Sequence, residues 1–106
     1  MARMVQAHAF LDHADPGVGS RVRNTPTAVR VWFTEKLEPA FCSLRVFDES
    51  GAEIDKRDMT IDSGNGATLK VSLPLLKPGK YKVVWRVVSI DTHSTNGEFT
   101  FEVTSP

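Results

Sequence analysis

The stretch that decides the fold is YKVVWRVV, residues 81–88. Its odd-numbered residues, from Tyr81 to Val87, are all apolar, whereas its even-numbered residues include Lys82 and Arg86. Successive side chains of a β-strand point to opposite faces of a sheet, so this two-residue period predicts a strand with one buried face. A helix would repeat its apolar residues every three or four positions, and that pattern is nearly absent from the sequence. The sequence therefore predicts a sheet structure.

The same alternation recurs along the chain, and turn signals separate its occurrences. Further predicted strands cover residues 29–34, 44–46, 68–73 and 98–103. Turn-forming segments lie between them: DPG at 15–17, NTP at 24–26, DESG at 48–51, SGNG at 63–66 and KPG at 77–79. Short strands at near-regular spacing predict an all-β fold, an antiparallel sandwich or barrel of about seven strands.

Size and charge exclude several classes of protein. The 106 residues suffice for one domain with its own core. Thirteen basic side chains balance thirteen acidic ones and are scattered, so we expect no nucleic-acid partner. No apolar run approaches the roughly 20 residues that cross a bilayer, so we expect no membrane insertion. Cys42 is the single cysteine, which excludes an internal disulfide and thiol-rich zinc sites.

A short N-terminal segment ends in a pattern typical of a signal-peptidase cleavage site. VQA, residues 5–7, has the small-x-small pattern that such a protease recognises, and His8 follows it. We interpret residues 1–7 as the remnant of a signal peptide and residues 8–104 as the domain. The alternative is a natural, disordered N-terminus of a cytosolic protein, because the apolar stretch of a complete signal peptide is missing.

Three residues could form a metal site. Cleavage before His8 would leave its α-amine and its imidazole free to chelate one ion. Asp91 and His93 stand in residues 91–97, which we interpret as a polar loop between two strands, and residues two apart in extended backbone project to the same side. Together these groups make an N,N,N,O set that suits a tetragonal Cu(II) ion. Each part alone is a weak signal, since Asp91 could simply cap a turn.

Several other polar and aromatic residues could have either a structural or a metal-binding role. Glu35 ends the predicted strand 29–34 and opens a predicted loop, residues 35–42, so it is either a surface carboxylate or an outer-shell partner that orients a ligand. We interpret His13 as a solvent-facing loop residue, with an accessory ligand as the alternative. Trp85 shares the apolar face of its strand, which favours core packing over ligand stacking. The methionines, among them Met59, form no cluster that would hold Cu(I).

Four stretches resemble one protein family. They are HAFL at 8–11 with Asp15-Pro16 after it, VWFTE at 31–35, PGKY at 78–81, and WRVVSIDTH at 85–93 followed by Gly97 and Phe99. In this order they are similar to the CopC-type periplasmic copper-binding proteins of copper resistance. The last stretch is the most specific, and the resemblance runs from His8 to Val103.

The resemblance implies a fold, a ligand set and a partner. The fold would be an Ig-like, Greek-key β-sandwich. His8 would give amine and imidazole to Cu(II), Asp91 and His93 would complete the site, and Glu35 would be the outer-shell carboxylate. The protein would be exported to the periplasm and would carry or buffer copper for a CopD-like inner-membrane protein, without enzymatic activity. We also expect a monomer.

Two departures from the family pattern affect the site. Some members carry a methionine-rich loop for Cu(I), but residues 48–62 contain only Met59, so we expect a Cu(II)-only protein. Residues 1–7, while attached, turn the amine of His8 into an amide and leave the site incomplete.

Two other functions stay open. One is a copper-dependent polysaccharide monooxygenase, which also uses a terminal-histidine chelate; the other is a metal-free, Ig-like interaction module.

Overall fold

The computed structural model describes residues 9–104, and they form a two-sheet β-sandwich. One short 3₁₀ helix, Pro39–Phe41, interrupts the strands. No helix within the described range is long and apolar enough to span a membrane. The strands are β1 Leu11–Asp15, β2 Arg21–Val22, β3 Ala28–Phe33, β4 Ser43–Phe47, β5 Thr60–Ile61, β6 Thr68–Ser72, β7 Gly79–Val88 and β8 Ser94–Val103. The predicted all-β sandwich is confirmed, with eight strands in place of about seven.

Each sheet has four strands, and the chain passes repeatedly between the sheets. The first sheet has the order β1-β3-β6-β5 and is antiparallel throughout. The second has the order β2-β8-β7-β4. In it β2 pairs parallel to β8, with Arg21 opposite Glu102, which departs from the purely antiparallel prediction. Five connections cross between the sheets, as in Greek-key sandwiches: β1–β2, β2–β3, β3–β4, β4–β5 and β6–β7.

The core lies between the sheets and is built from the predicted alternation. Val83 and Val87 of β7 are fully buried, as is Val31 of β3. Trp85 is also a core residue, as predicted, and its ring meets Phe33 of the other sheet edge-on, with ring centroids 5.2 Å apart. Such pairs add about 0.5–1.5 kcal/mol beyond the burial of their surface. The apolar faces of β3 and β7 therefore hold the two sheets together.

The prediction of a polar loop over residues 91–97 is wrong. The strand β8 already begins at Ser94, and the connection between β7 and β8 comprises only residues 89–93. The inward positions at the start of β8 are Thr95 and Gly97, so no apolar residue marks the strand there. Gly97 leaves room for the indole of Trp85, whose Cζ2 would lie 2.6 Å from a Cβ at that position. The indole of Trp85, on the neighbouring strand β7, thus fills the inward space that an apolar side chain at residue 97 would otherwise occupy.

His13 lies on a strand rather than in the predicted loop. It belongs to β1 opposite Trp32 of β3, and the two rings stack with centroids 4.3 Å apart. Its Nδ1 is 2.7 Å from the carboxylate of Asp12. The side chain is nevertheless exposed to solvent, as predicted, because this face of the first sheet points outward.

The connection after β3 is a loop, as predicted, and packs along the end of β7. The backbone N–H of Glu38 donates to the carbonyl of Val88 at 2.8 Å, and Leu37 forms a bridge with Ser89. The thiol of Cys42 donates to the carbonyl of Glu38 at 3.2 Å, and partial burial raises its pKa. These bonds fix the connection beside the loop that carries Asp91.

Candidate metal centre

Three segments that are distant in sequence meet at one end of the sandwich. The first is the β7–β8 loop, residues 89–93, where the N–H of Ile90 donates to the carbonyl of Lys36 at 3.1 Å. The second is the start of the connection after β3. The third is the beginning of the described chain, where the N–H of Phe10 donates to the hydroxyl of Thr34 and the N–H of Thr34 donates to the carbonyl of Phe10, both at 2.9 Å. Glu35, Asp91 and His93 therefore lie at the same end.

The β7–β8 loop is a tight turn that brings Asp91 and His93 together. The N–H of Ser89 donates to the carbonyl of His93 at 3.0 Å, and the N–H of Thr92 donates to the carbonyl of Ser89 at 2.8 Å. Thr92 has a φ of 73°, an uncommon conformation for a β-branched residue. As a result, Oδ2 of Asp91 is 3.4 Å from Nδ1 of His93. The two side chains converge because of this turn, not because of the extended backbone expected from the sequence.

The carboxylate of Asp91 is held in its charged form. The buried hydroxyl of Ser89 donates to Oδ1 of Asp91, and this hydrogen bond is the main reason that the pKa of Asp91 lies below its usual range. Desolvation, the second-largest effect, opposes this shift, and the nearby imidazole of His93 lowers the pKa further. An ionised carboxylate and an imidazole are both groups that can donate to a metal ion, and each side chain is more than a third exposed.

The predicted ligand His8 lies outside the described residues, so its role stays a prediction. The next residue, Ala9, is fully buried, and its carbonyl accepts a hydrogen bond of 2.5 Å from the hydroxyl of Thr95. Thr95 is two residues from His93 along the chain. The described chain thus begins next to the strand that follows the Asp91–His93 turn.

Glu35 is close in the chain to the anchoring Thr34 but is not joined to the pair. Its side chain is exposed, and among the described residues no hydrogen bond or ion pair links it to Asp91 or His93. The predicted outer-shell role of Glu35 therefore stays a prediction.

The described residues of this end offer two of the four donors that a tetragonal site would need. Nowhere in residues 9–104 do three His, Cys, Asp or Glu side chains come close enough to hold a metal ion. Asp91 and His93 supply one oxygen and one nitrogen, the mixed donor chemistry that Cu(II) accepts, and leave two of four equatorial positions for other donors. The donor chemistry of the pair fits the predicted copper ion.

Two further residues of this end, Ser89 and Thr95, are not among the site residues predicted from the sequence. Ser89 continues the inward phase of Tyr81, Val83, Trp85 and Val87, so a buried hydroxyl next to an aspartate was a readable signal. Thr95 had no comparable signal, because its partner Ala9 is 86 residues away in sequence.

The pattern of the CopC domain family matches residues 11–104. Protein YobA of Escherichia coli strain K12 is 35% identical over 100 residues, which cover 93% of this chain and 81% of YobA.

Two solved structures share the fold and are 27–30% identical in sequence to this chain. The crystal structure of CopC from Methylosinus trichosporium OB3b has a TM-score of 0.86 and 30% identity, and covers 92% of this chain and 95% of that one. PcoC, a methionine-rich copper resistance protein from Escherichia coli, has a TM-score of 0.80 and 27% identity, and covers 92% of this chain and all (100%) of that one. The predicted resemblance is confirmed, and the chain belongs to the CopC family of copper-binding, copper-resistance proteins.

Proposed function

We propose that this protein captures Cu(II) in the periplasm and carries or buffers it as part of copper resistance. After cleavage before His8, the amine and imidazole of that residue bind the ion together with Asp91 and His93. The observation that carries the proposal is the pairing of Asp91 with His93 at the end where Thr95 holds Ala9, the residue that follows His8.

The donor set supports the cupric state. Three nitrogens and one carboxylate oxygen suit a tetragonal Cu(II) ion, and the Irving–Williams order favours copper over nickel and zinc at such a site. Cu(I) prefers soft sulfur donors, but Met59 is partly buried against the core. PcoC is described as methionine-rich, whereas this chain has three methionines, two of them in residues 1–7. We therefore expect weak binding of Cu(I).

Proton competition provides a route for release. The amine and the two imidazoles must be unprotonated to bind, so copper affinity falls as the medium becomes more acidic. Acid, reduction to Cu(I) or a competing ligand would each free the ion.

The test is a titration of Cu(II) into three proteins: the chain that starts at His8, the chain that starts at Met1, and the His8 form with His93→Ala. We expect the first to bind in a 1:1 ratio and far more tightly than the other two, because each of these lacks one nitrogen donor. Equal affinity of the two chain lengths would remove the amine from the site. No specific uptake by any of them would favour the metal-free interaction module.

We further propose a CopD-like inner-membrane protein as the recipient of the copper. Transfer requires direct contact near the ion, and three large apolar side chains are exposed around this end: Phe10 (51%), Ile90 (58%) and Phe41 (66%). We expect Ile90→Ser to slow copper transfer to such a protein without changing the affinity of the isolated domain for Cu(II). An unchanged transfer rate would remove Ile90 from the contact.

An enzymatic role is not favoured. A polysaccharide oxidase needs a flat, exposed aromatic surface. Tyr81 and Trp85 are buried in the core, and of the aromatic side chains in residues 9–104 only Phe10 and Phe41 are largely exposed. The carboxylate of Asp91 would also fill a position that oxygen activation needs open. Polysaccharide oxidation by the copper-loaded His8 form in the presence of peroxide would contradict this inference.

A further inference from the structure

Ser89 is a buried polar residue whose three hydrogen-bonding groups all face the Asp91–His93 turn. Only 1% of its surface is exposed, although β7 ends just before it. Its hydroxyl donates to Oδ1 of Asp91 and has the carbonyl of His93 as a second, more distant acceptor at 3.3 Å. Its backbone N–H and carbonyl bond to His93 and Thr92. Ser89 therefore ties the turn to the rigid end of a ten-residue strand.

The hydroxyl of Ser89 makes the two carboxylate oxygens of Asp91 unequal. Oδ1 accepts a hydrogen bond from inside the protein, whereas Oδ2 lies 3.4 Å from Nδ1 of His93. The bond from Ser89 occupies one lone pair of Oδ1 and withdraws electron density from it, so Oδ1 is the weaker donor for a metal ion. The ion therefore meets Oδ2 first, in the direction of the imidazole.

We propose that Ser89 is a positioning residue that makes Asp91 a one-oxygen donor and thereby favours Cu(II) over ions with less directional coordination. The inference rests on the proposed copper site and adds a determinant of its selectivity. Tetragonal Cu(II) uses one equatorial position per donor, and a carboxylate that binds through both oxygens distorts that square. A rotating carboxylate suits ions of flexible coordination instead, as bidentate carboxylates do for larger hard cations.

The fold itself depends little on this hydroxyl. Asp91 is exposed, so water can replace the hydroxyl as donor to Oδ1 after a Ser89→Ala substitution. The bond from the N–H of Ser89 to the carbonyl of His93 is unaffected, because it belongs to the backbone. The Ser89→Ala protein is therefore expected to fold, and its metal chemistry can be measured.

The experiment compares Cu(II) and Zn(II) dissociation constants, by competition with a chelator of known affinity, for His8-start proteins. Ser89→Ala should weaken Cu(II) binding by about 10-fold, the lower end of the effect typical for outer-shell partners of metal ligands. Zn(II) binding should weaken less, so the Cu(II)-to-Zn(II) selectivity falls. The electron paramagnetic resonance spectrum of bound Cu(II) should change as the oxygen donor reorients, and Ser89→Thr, which keeps a hydroxyl, should restore it.

Two further variants separate positioning from general damage. Ser20→Ala is the matched control, since the Ser20 hydroxyl is buried and has no hydrogen-bond partner among residues 9–104, so its removal should change neither metal binding nor the spectrum. In an Asp91→Ala background, Ser89→Ala should have no further effect on Cu(II) affinity.

Three results would contradict the proposal in different ways. An unchanged affinity and spectrum in Ser89→Ala would show that the hydroxyl does not position Asp91. An equal loss with and without Asp91 would show that Ser89 acts on the turn as a whole. A failure of the unsubstituted His8-start protein to bind Cu(II) would instead overturn the proposed function, on which this inference rests.

Discussion

Replacement of Gly97 by alanine tests whether close packing across β7 and β8 defines this end of the protein. A Cβ at residue 97 would lie 2.6 Å from Cζ2, 2.9 Å from Cε2 and 3.3 Å from Nε1 of Trp85. Since carbon atoms pack at about 3.5–4.0 Å, the ring must move by nearly 1 Å. It has little room, because Trp85 is only 8% exposed and packs edge-on against Phe33.

The expected loss of stability follows from two opposing effects. Overpacking of a core usually costs about 1–3 kcal/mol, whereas replacing glycine reduces the entropy of the unfolded chain and returns about 0.4–1 kcal/mol. The close approach to Trp85 places Gly97→Ala in the upper part of the first range, so we expect the free energy of unfolding to fall by about 2 kcal/mol. For a domain of this size, that corresponds to a decrease in Tm of roughly 10 °C.

Urea unfolding, with tryptophan fluorescence and circular dichroism as probes, measures this change. Gly17→Ala is the matched control, because the nearest atoms to its Cβ would lie 3.8 and 3.9 Å away, at ordinary contact distances. It should leave the free energy of unfolding unchanged or raise it by up to about 1 kcal/mol, because only the entropy effect acts there. In a double-mutant cycle with Trp85→Leu, most of the cost of Gly97→Ala should disappear. A Gly97→Ala protein as stable as the unsubstituted one, or a cost that persists without the indole, would refute the reasoning.

Three other predictions concern the metal end and the turns. Thr95→Val removes the donor to a buried carbonyl and should lower both stability, by about 1–3 kcal/mol, and the Cu(II) affinity of the His8-start protein, whereas Thr95→Ser should keep both. The pKa of Asp48 is lowered, mainly because its carboxylate accepts a hydrogen bond from the Ser50 hydroxyl. The ionised carboxylate therefore contributes stability that is present above its unfolded-state pKa of about 3.9 and is lost as the pH falls through the lower folded-state pKa. In urea unfolding, Asp48→Asn should differ less from the unsubstituted protein at pH 3 than at pH 7. His13→Ala should alter the fluorescence of Trp32, on which the imidazole stacks, and leave the Cu(II) affinity unchanged; a weaker affinity would make His13 an accessory ligand.

The fold class and the candidate ligands were readable from the sequence because both leave local signals. A strand with one face in the core repeats its apolar residues every second position, and the odd residues from Tyr81 to Val87 are indeed buried. Asp91 and His93 stand two residues apart in a specific motif, so their proximity needed no knowledge of distant segments. The family match over residues 11–104 agrees with the resemblance carried by these same motifs.

The tertiary structure decided everything that depends on a partner far away in the chain. Three strands, β1, β2 and β5, were not among the segments predicted by alternation. β2 and β5 have only two residues each, and β1 is mostly exposed, so none of them shows a clear apolar alternation. They are strands because they pair with neighbouring strands of the sheets. The start of β8 was mistaken for loop, because its inward positions hold Gly97, which Trp85 covers from β7, and Thr95, which bonds Ala9.

The end of the sandwich that carries Asp91 and His93 shows the same division. The sequence determined which donors are present, since donor chemistry belongs to individual side chains. The tertiary structure decided how these side chains are arranged: the left-handed Thr92 brings His93 to Asp91, the buried Ser89 donates to one carboxylate oxygen of Asp91, and Thr95 bonds to Ala9. The bond between Thr95 and Ala9 joins residues 86 apart in sequence, so no local pattern in the sequence records it, and the burial that isolates Ser89 from water exists only once the two sheets are packed.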